Sequence, residues 1–168
     1  GGHRPPTGLV YLPTMNLCRD LEGAQPQYKR GAFYLGVEFE LGKGGPGGHL
    51  GEVMAWDPVK QQKAWGNKDE LLYLGGMMST AGGLVFHGDL KGWFKALDAK
   101  TGRALWQFQT GSGISAAPMT YELGGKQYVA VVSGRTFAIP AFFGPIGEKM
   151  VAASPEGGTL FVFELPTQ

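Results

Sequence analysis

Two stretches of the chain are near copies of one another at a spacing of 41 residues. The first runs Ala55-Trp56-Asp57-Pro58-Val59-Lys60-Gln61-Gln62-Lys63-Ala64-Trp65 and the second Ala96-Leu97-Asp98-Ala99-Lys100-Thr101-Gly102-Arg103-Ala104-Leu105-Trp106, with Ala, Asp and Trp at matched positions. In each, a short apolar run ends at an Asp suited to turn formation, a tight polar turn follows, and the chain resumes with β-prone residues that reach a Trp. This is the pattern of a hairpin. A hairpin that recurs at a period of about 40 residues is the spacing of a propeller blade, in which four antiparallel strands form one unit.

The rest of the chain fits the same reading. Gly (29 residues) and Pro (11) are frequent, charged residues make up only 17%, and apolar residues come in short bursts without long helical periodicity. Strands are predicted at Leu9 to Pro13, Gly51 to Trp56, Lys63 to Trp65, Leu84 to Gly88, Trp93 to Asp98, Ala104 to Gln109, Met119 to Leu123, Tyr128 to Ser133 and Thr159 to Glu164. The runs at Gly8 to Leu12, Gly83 to His87 and Tyr128 to Val132 read as equivalent strands of three blades, and Gly157 to Leu165 repeats the character of Gly92 to Asp98. The fold class is therefore all-β, about three blades of four antiparallel strands. Two irregular segments interrupt it, Asn16 to Gly48 and Gly134 to Pro155. A net charge of +1 with interspersed signs offers no basic stripe for nucleic acid, and no apolar run approaches the roughly 20 residues of a membrane span.

The form A-x-D-x-x-T-G-x-x-x-W, complete in Ala96 to Trp106 and lacking only Thr and Gly in Ala55 to Trp65, resembles the tryptophan-docking motif of the eight-bladed quinoprotein alcohol dehydrogenases, which use pyrroloquinoline quinone (PQQ). Further blocks resemble the C-terminal part of methanol and ethanol dehydrogenases: Pro46 to Gly51, Ser79 to Phe86, Gly92 to Ala96, Thr110 to Ile114 and Gly125 to Val131. The resemblance covers positions 5 to 134 well and the remainder loosely. It implies a periplasmic enzyme that oxidises alcohols or sugars to aldehydes with PQQ and calcium or a lanthanide, and passes electrons to cytochrome c. It also implies that residues 1 to 168 form the C-terminal portion of a ring, with a long loop at 16 to 48, docking motifs at 55 to 65 and 96 to 106, and a closing strand at 159 to 165. The partners implied are missing N-terminal blades or a second copy of the chain, and any targeting segment is expected upstream or not at all.

The general base, the cation ligands, the quinone-facing Arg and a vicinal disulfide belong, by the same resemblance, to earlier blades. No catalytic or metal-binding residue is assigned here, and this chain alone is expected to be inactive and to hold no cofactor. Three residues are expected to reach the cofactor: Asn16, in a stretch that resembles an amide-contributing segment although Met15 is the alternative register, and Gly134 and Phe137 beyond the third blade. Departures from the family pattern are visible at Leu74, where a Trp is usual, and after Gly134, where a Gly-Trp is absent.

Other residues read as structural. Trp65 and Trp106 are expected to be buried as clamps between blades, each indole N–H satisfied by a main-chain carbonyl. Trp56 and Trp93 read as packing residues. Asp20, Glu22, Glu38, Glu40, Glu52, Asp69, Glu70 and Asp89 have no ligand spacing, and His3, His49 and His87 are scattered. Cys18 is the single cysteine, and no C-x-x-C-H haem attachment site is present. Ser79 and Ser112 lack the elbow context of a hydrolase nucleophile. Phe137, Phe142 and Phe143 either cover a propeller face or wall the cofactor cavity. The alternative to a dehydrogenase portion is a non-catalytic propeller module of PQQ-like repeats that serves as a scaffold.

Overall fold

The computed structural model describes residues 2–4, 7–32, 34, 36–136 and 143–164. Its first sheet has the order β1-β2-β5-β6, from β1 (Gly2–Arg4), β2 (Leu9–Met15), β5 (Gly51–Asp57) and β6 (Gln62–Asp69). The second has the order β10-β9-β8-β7, from β7 (Met77–Ser79), β8 (Leu84–Gly88), β9 (Trp93–Asp98) and β10 (Ala104–Gln109). A third sheet holds β11 (Met119–Leu123), β12 (Lys126–Ser133) and β13 (Thr159–Glu164). Every pairing within these sheets is antiparallel. The three sheets are consecutive blades of a β-propeller.

Alternation along the strands decides which face packs where. Leu9, Tyr11, Val53 and Ala55 of the first blade meet Val85, Leu97 and Ala99 of the second, with Tyr73 and Met77, in one buried cluster. On the second blade the opposite face carries Phe86, Phe94 and Ala96, which with Ile114 pack against Val129 and Val131 of the third. Strands β8 and β9 of the middle blade are thus covered on both sides, while β10 stays exposed. Each large apolar side chain removed from water in this way contributes roughly 1.5 to 3 kcal/mol.

Asp residues shape the turns. Asp98 Oδ1 accepts from the Lys100 and Thr101 amides at 3.1 and 2.8 Å, and Asp57 Oδ1 does the same for Val59 and Lys60 at 3.0 Å each. The repeat calls for a left-handed residue at the end of the turn. Gly102 provides it at φ +72°, and at the matching position Gln61 adopts φ +52°, the sole non-glycine residue with positive φ among those described. The missing glycine of the first repeat is therefore met by a strained residue.

Three departures from the sequence-based expectation follow. Within the segment read as irregular between Asn16 and Gly48, β3 (Leu17–Gly23) and β4 (Val37–Gly44) form an antiparallel hairpin inserted between β2 and β5. Within the second irregular segment lies a helix, α1 (Gly144–Ala153), beside the three sheets of the mostly β fold. The third blade has three described strands instead of four: β13 pairs with β12 alone among the described residues.

Helix α1 has Pro145 in its first turn and buries Ile146 and Met150. Together with Phe143 they join Leu71, Leu72 and Leu90 in a further cluster, against which Leu17, Leu50 and Leu74 also pack. The helix, the base of the inserted hairpin and the connection between the first two blades thereby share one core at one end of the blades.

Candidate functional site

The ladders place the residues that follow the second strand of each blade at equivalent positions. Met15 pairs with Gly51; extending the β8 and β12 ladders by the same register sets Leu90 opposite Gly92 and Gly134 opposite Gly158. Asn16, Lys91 and Arg135 come next in their blades. Three polar side chains thus emerge from the same step of three repeats, at the end of the blades where the hairpin and α1 are inserted. Two of the three residues that the sequence nominates for a cofactor, Asn16 and Gly134, lie at this end; Phe137 and Phe142 lie outside the described residues.

Asn16 Nδ2 donates to the carbonyls of Pro46 and His49 at 2.9 and 3.0 Å, while its backbone donates to Leu50 and accepts from Gly45. The side chain therefore latches the two ends of the hairpin insertion. Lys91 Nζ pairs with Glu70 at 2.9 Å and with Asp69 at 3.4 Å, and hydrogen bonding to Glu70, the largest influence, raises its pKa. A recess of about 400 Å³ lies beside it, lined by Glu70, Leu71, Lys91, Lys149, Ala152 and Ala153.

Gly134 sits on a seam between the second and third blades. Its amide donates to Gly113 O at 2.8 Å, Ile114 and Gly134 form a parallel bridge, and a Cβ at Gly134 would stand only 2.8 Å from Gly157 O. Ser133 Oγ donates to Ser112 O at 2.9 Å, and Ser112 Oγ donates to Pro155 O at 2.7 Å and accepts from the Arg135 amide at 3.0 Å. Ser112 is thus a structural crosspiece, in agreement with the absence of an elbow around it.

A second polar group is buried deeper, between the first two blades. His87 is 2% exposed and meets Tyr73 edge-on at 5.4 Å. Burial, aided by the Lys95 charge and opposed by Asp89, lowers its pKa to about 4. Burial, with Asp69 and Asp89 nearby, pushes the Tyr73 hydroxyl well above its ordinary value. Asp89 Oδ1 accepts from the amides of Lys91 and Trp93, and Oδ2 meets Lys95 Nζ at 2.7 Å as an ion pair rather than in hydrogen-bonding alignment. Among the described residues, no three His, Cys, Asp or Glu side chains are grouped to hold a metal ion. No helix among them is long and apolar enough to cross a membrane.

Sequence reasoning missed Lys91 and helix α1. Phe143, Ile146 and Met150, at spacings of three and four residues, carried a helical signal that the surrounding Gly and Pro obscured.

The blades form a portion of a β-propeller, and residues 47–129 match the family described as glucose/ethanol/alcohol dehydrogenase, beta-propeller domain. The chain is 40% identical over 161 residues to the quinoprotein ethanol dehydrogenase of Pseudomonas aeruginosa, covering 96% of this chain and 26% of that protein. It is 43% identical over 132 residues to a lanthanide-dependent methanol dehydrogenase of Methylorubrum extorquens, covering 77% of this chain and 22% of that one. Among solved structures, a europium-containing methanol dehydrogenase superposes with a TM-score of 0.84 at 36% identity, over 97% of this chain and 32% of its own. The chain is homologous to the PQQ-dependent alcohol and methanol dehydrogenases, and it spans about a quarter of the length of the curated relatives it matches.

Proposed function

We propose that these residues supply the C-terminal blades of a periplasmic PQQ-dependent dehydrogenase that oxidises alcohols or sugars to aldehydes and delivers the electrons to a cytochrome c. The observation that carries the reading is the alignment of Asn16, Lys91 and Arg135 at one end of three homologous blades, in a chain 40% identical to a quinoprotein ethanol dehydrogenase over nearly its whole length. When bound, the quinone is the oxidant of the alcohol. The part played here is that of a cavity wall. Gly134 lets backbone approach closely, the polar positions at 16, 91 and 135 occupy the same step of their blades, and Asn16, Gly134 and Phe137 are the candidates to border the cofactor. The buried polar atoms around Arg135 suit an anionic group, which is the test of fit that these residues allow. Calcium or a lanthanide, the general base and the quinone-orienting groups are assigned to the remaining blades. Leu74, in place of the usual Trp, favours a second reading, a propeller scaffold without catalysis.

Dye-linked oxidation of primary alcohols with PQQ and calcium or a lanthanide tests the proposal. The 168-residue chain alone should stay at the free-cofactor blank, because a catalytic constellation acts as a unit. Supplying upstream blades of a homologous enzyme in trans should produce turnover. Failure of any such complementation, with the blades folded and associated, would favour the scaffold.

A further inference from the structure

Where the second and third blades meet, a buried arginine is only half satisfied. The Arg135 side chain is 9% exposed, and its Nη2 donates to Glu156 Oε1 at 2.9 Å. Its Nε is buried with no hydrogen-bond partner among the described residues, and the same holds for the hydroxyls of Ser115 and Ser154. The three residues lie along one seam. Ser115 and Arg135 each follow the residue of the Ile114–Gly134 parallel bridge, and a Cβ built on Gly113 would lie 3.1 Å from Ser154 Oγ. The Ser112 bonds to Pro155 and Arg135 hold the strand exits and the 154–156 stretch together.

Buried donors without acceptors are unfavourable, and a charged one most of all. A guanidinium presents Nε and one terminal nitrogen as a fork that a carboxylate fills with both oxygens. Glu156 accepts from the terminal nitrogen and leaves Nε open. Its side chain is 70% exposed, so it can leave the fork for water at little steric cost. The group that already rests on the arginine is itself a carboxylate, a stand-in for one that engages both nitrogens.

We propose that Arg135, with the hydroxyls of Ser115 and Ser154, is a carboxylate-binding site at the junction of the second and third blades, and that Glu156 occupies it until a ligand carboxylate displaces it. The inference rests on the cavity-wall reading above only for the source of that carboxylate, which is then the quinone cofactor, a tricarboxylate.

Equilibrium dialysis of the chain with PQQ and with its trimethyl ester, and NMR titration of the Arg135 Nε–H resonance with acetate, test it in the wild type, Arg135→Ala and Glu156→Gln. PQQ should bind only weakly to the chain alone, since the other cofactor contacts are assigned to the remaining blades, yet roughly tenfold or more tightly than the ester, as expected for a charge-assisted fork. Arg135→Ala should abolish that preference, and Glu156→Gln should strengthen it. Acetate alone shifting Nε–H, with that response lost in Arg135→Ala and no quinone bound, would keep the site and remove the cofactor as its source. PQQ and ester binding equally, in the wild type and in Arg135→Ala alike, would overturn the site and leave the cavity-wall reading standing. The absence of binding by both carboxylate probes, PQQ and acetate, would overturn it as well. Should Arg135→Ala fail to fold, as its melting curve will tell, Glu156→Gln decides alone: unchanged affinity for PQQ and acetate overturns the proposal.

Discussion

Trp65 and Trp106 occupy the same position of two repeats, yet the two blade junctions treat them differently. Trp65 rests on the turn of the next blade. Its Nε1 donates to Ala99 O at 3.1 Å, Tyr11 lies 5.9 Å away and donates to the same carbonyl at 3.0 Å, and a Cβ at Gly102 would stand 2.5 Å from the indole. Trp106 meets Phe94 and Phe163 edge-on at 6.1 and 5.2 Å, but it is 40% exposed and borders an apolar cavity of about 430 Å³. The expectation that both tryptophans are buried clamps is thus met in part at Trp65, which is half-buried against the turn, and corrected at Trp106. The described surroundings differ: Trp65 has the Ala99 carbonyl and the bare Gly102 against its ring, whereas Trp106 has the Phe94, Phe108 and Phe163 rings with the cavity beside them; the position matching Ala99, Leu165, lies outside the described residues. A repeat motif specifies a side chain's readiness to dock, and the neighbouring blade supplies the dock.

The outer face of the third blade teaches the same lesson. Met119, Val132, Leu160 and Val162 fall on one side of it by their pairing, and each is about half exposed or more. The corresponding face of the second blade, with Phe86, Phe94 and Ala96, is buried. An apolar sheet face of this kind is completed by another blade.

The comparison can be broken most directly at the tryptophans. Trp65→Ala should cost about 3 kcal/mol, in the range for a large aromatic removed from a packed site, and Trp106→Ala about 1 kcal/mol because much of its surface already faces water. Denaturant titration of both variants with unchanged slopes checks the ranking; equal losses would remove the contrast between the junctions.

Acid should loosen the first junction and spare the second, because His87 lies between the first two blades while its counterpart in the third is Val131. In the unfolded chain His87 regains a pKa near 6.5, so below that pH the unfolded state takes up a proton that the folded state refuses until about pH 4. Stability contributed by the neutral imidazole is complete above pH 6.5 and is lost as pH falls toward 4, up to about 3 kcal/mol. Hydrogen exchange at pH 7 and 4.5 should show protection falling more in β5 and β8 than in β12, and His87→Val should flatten the dependence.

Gly102→Ala tests the dock from its other side. The new methyl meets the Trp65 ring while the backbone stays at φ +72°, and a loss of about 2 kcal/mol is expected. A double-mutant cycle with Trp65→Ala should recover part of it. The smallest effect is expected at Gln61, where glycine relieves a φ of +52°: Gln61→Gly should raise stability by about 0.5 to 1 kcal/mol, visible as a higher melting temperature. A decrease would mean that the Gln side chain holds this turn.

Much of this molecule is written locally. The 41-residue repeat, the Asp-initiated turns and the alternating apolar runs determine the strands, their antiparallel hairpins and the propeller class, because each depends on residues within one hairpin or one blade. What the sequence left open depends on groups far apart in the chain. Asn16 was nominated from the sequence as an amide expected to reach the cofactor, but only tertiary structure shows its amide donating to Pro46 and His49. The polar residues Lys91 and Arg135 become its equivalents only when three ladders are set side by side. The fate of each tryptophan was decided last. Matched motifs carry Trp65 and Trp106, and at Trp65 the neighbouring blade brings a carbonyl and a bare glycine against the ring, since docking is a property of two surfaces and a motif encodes one of them.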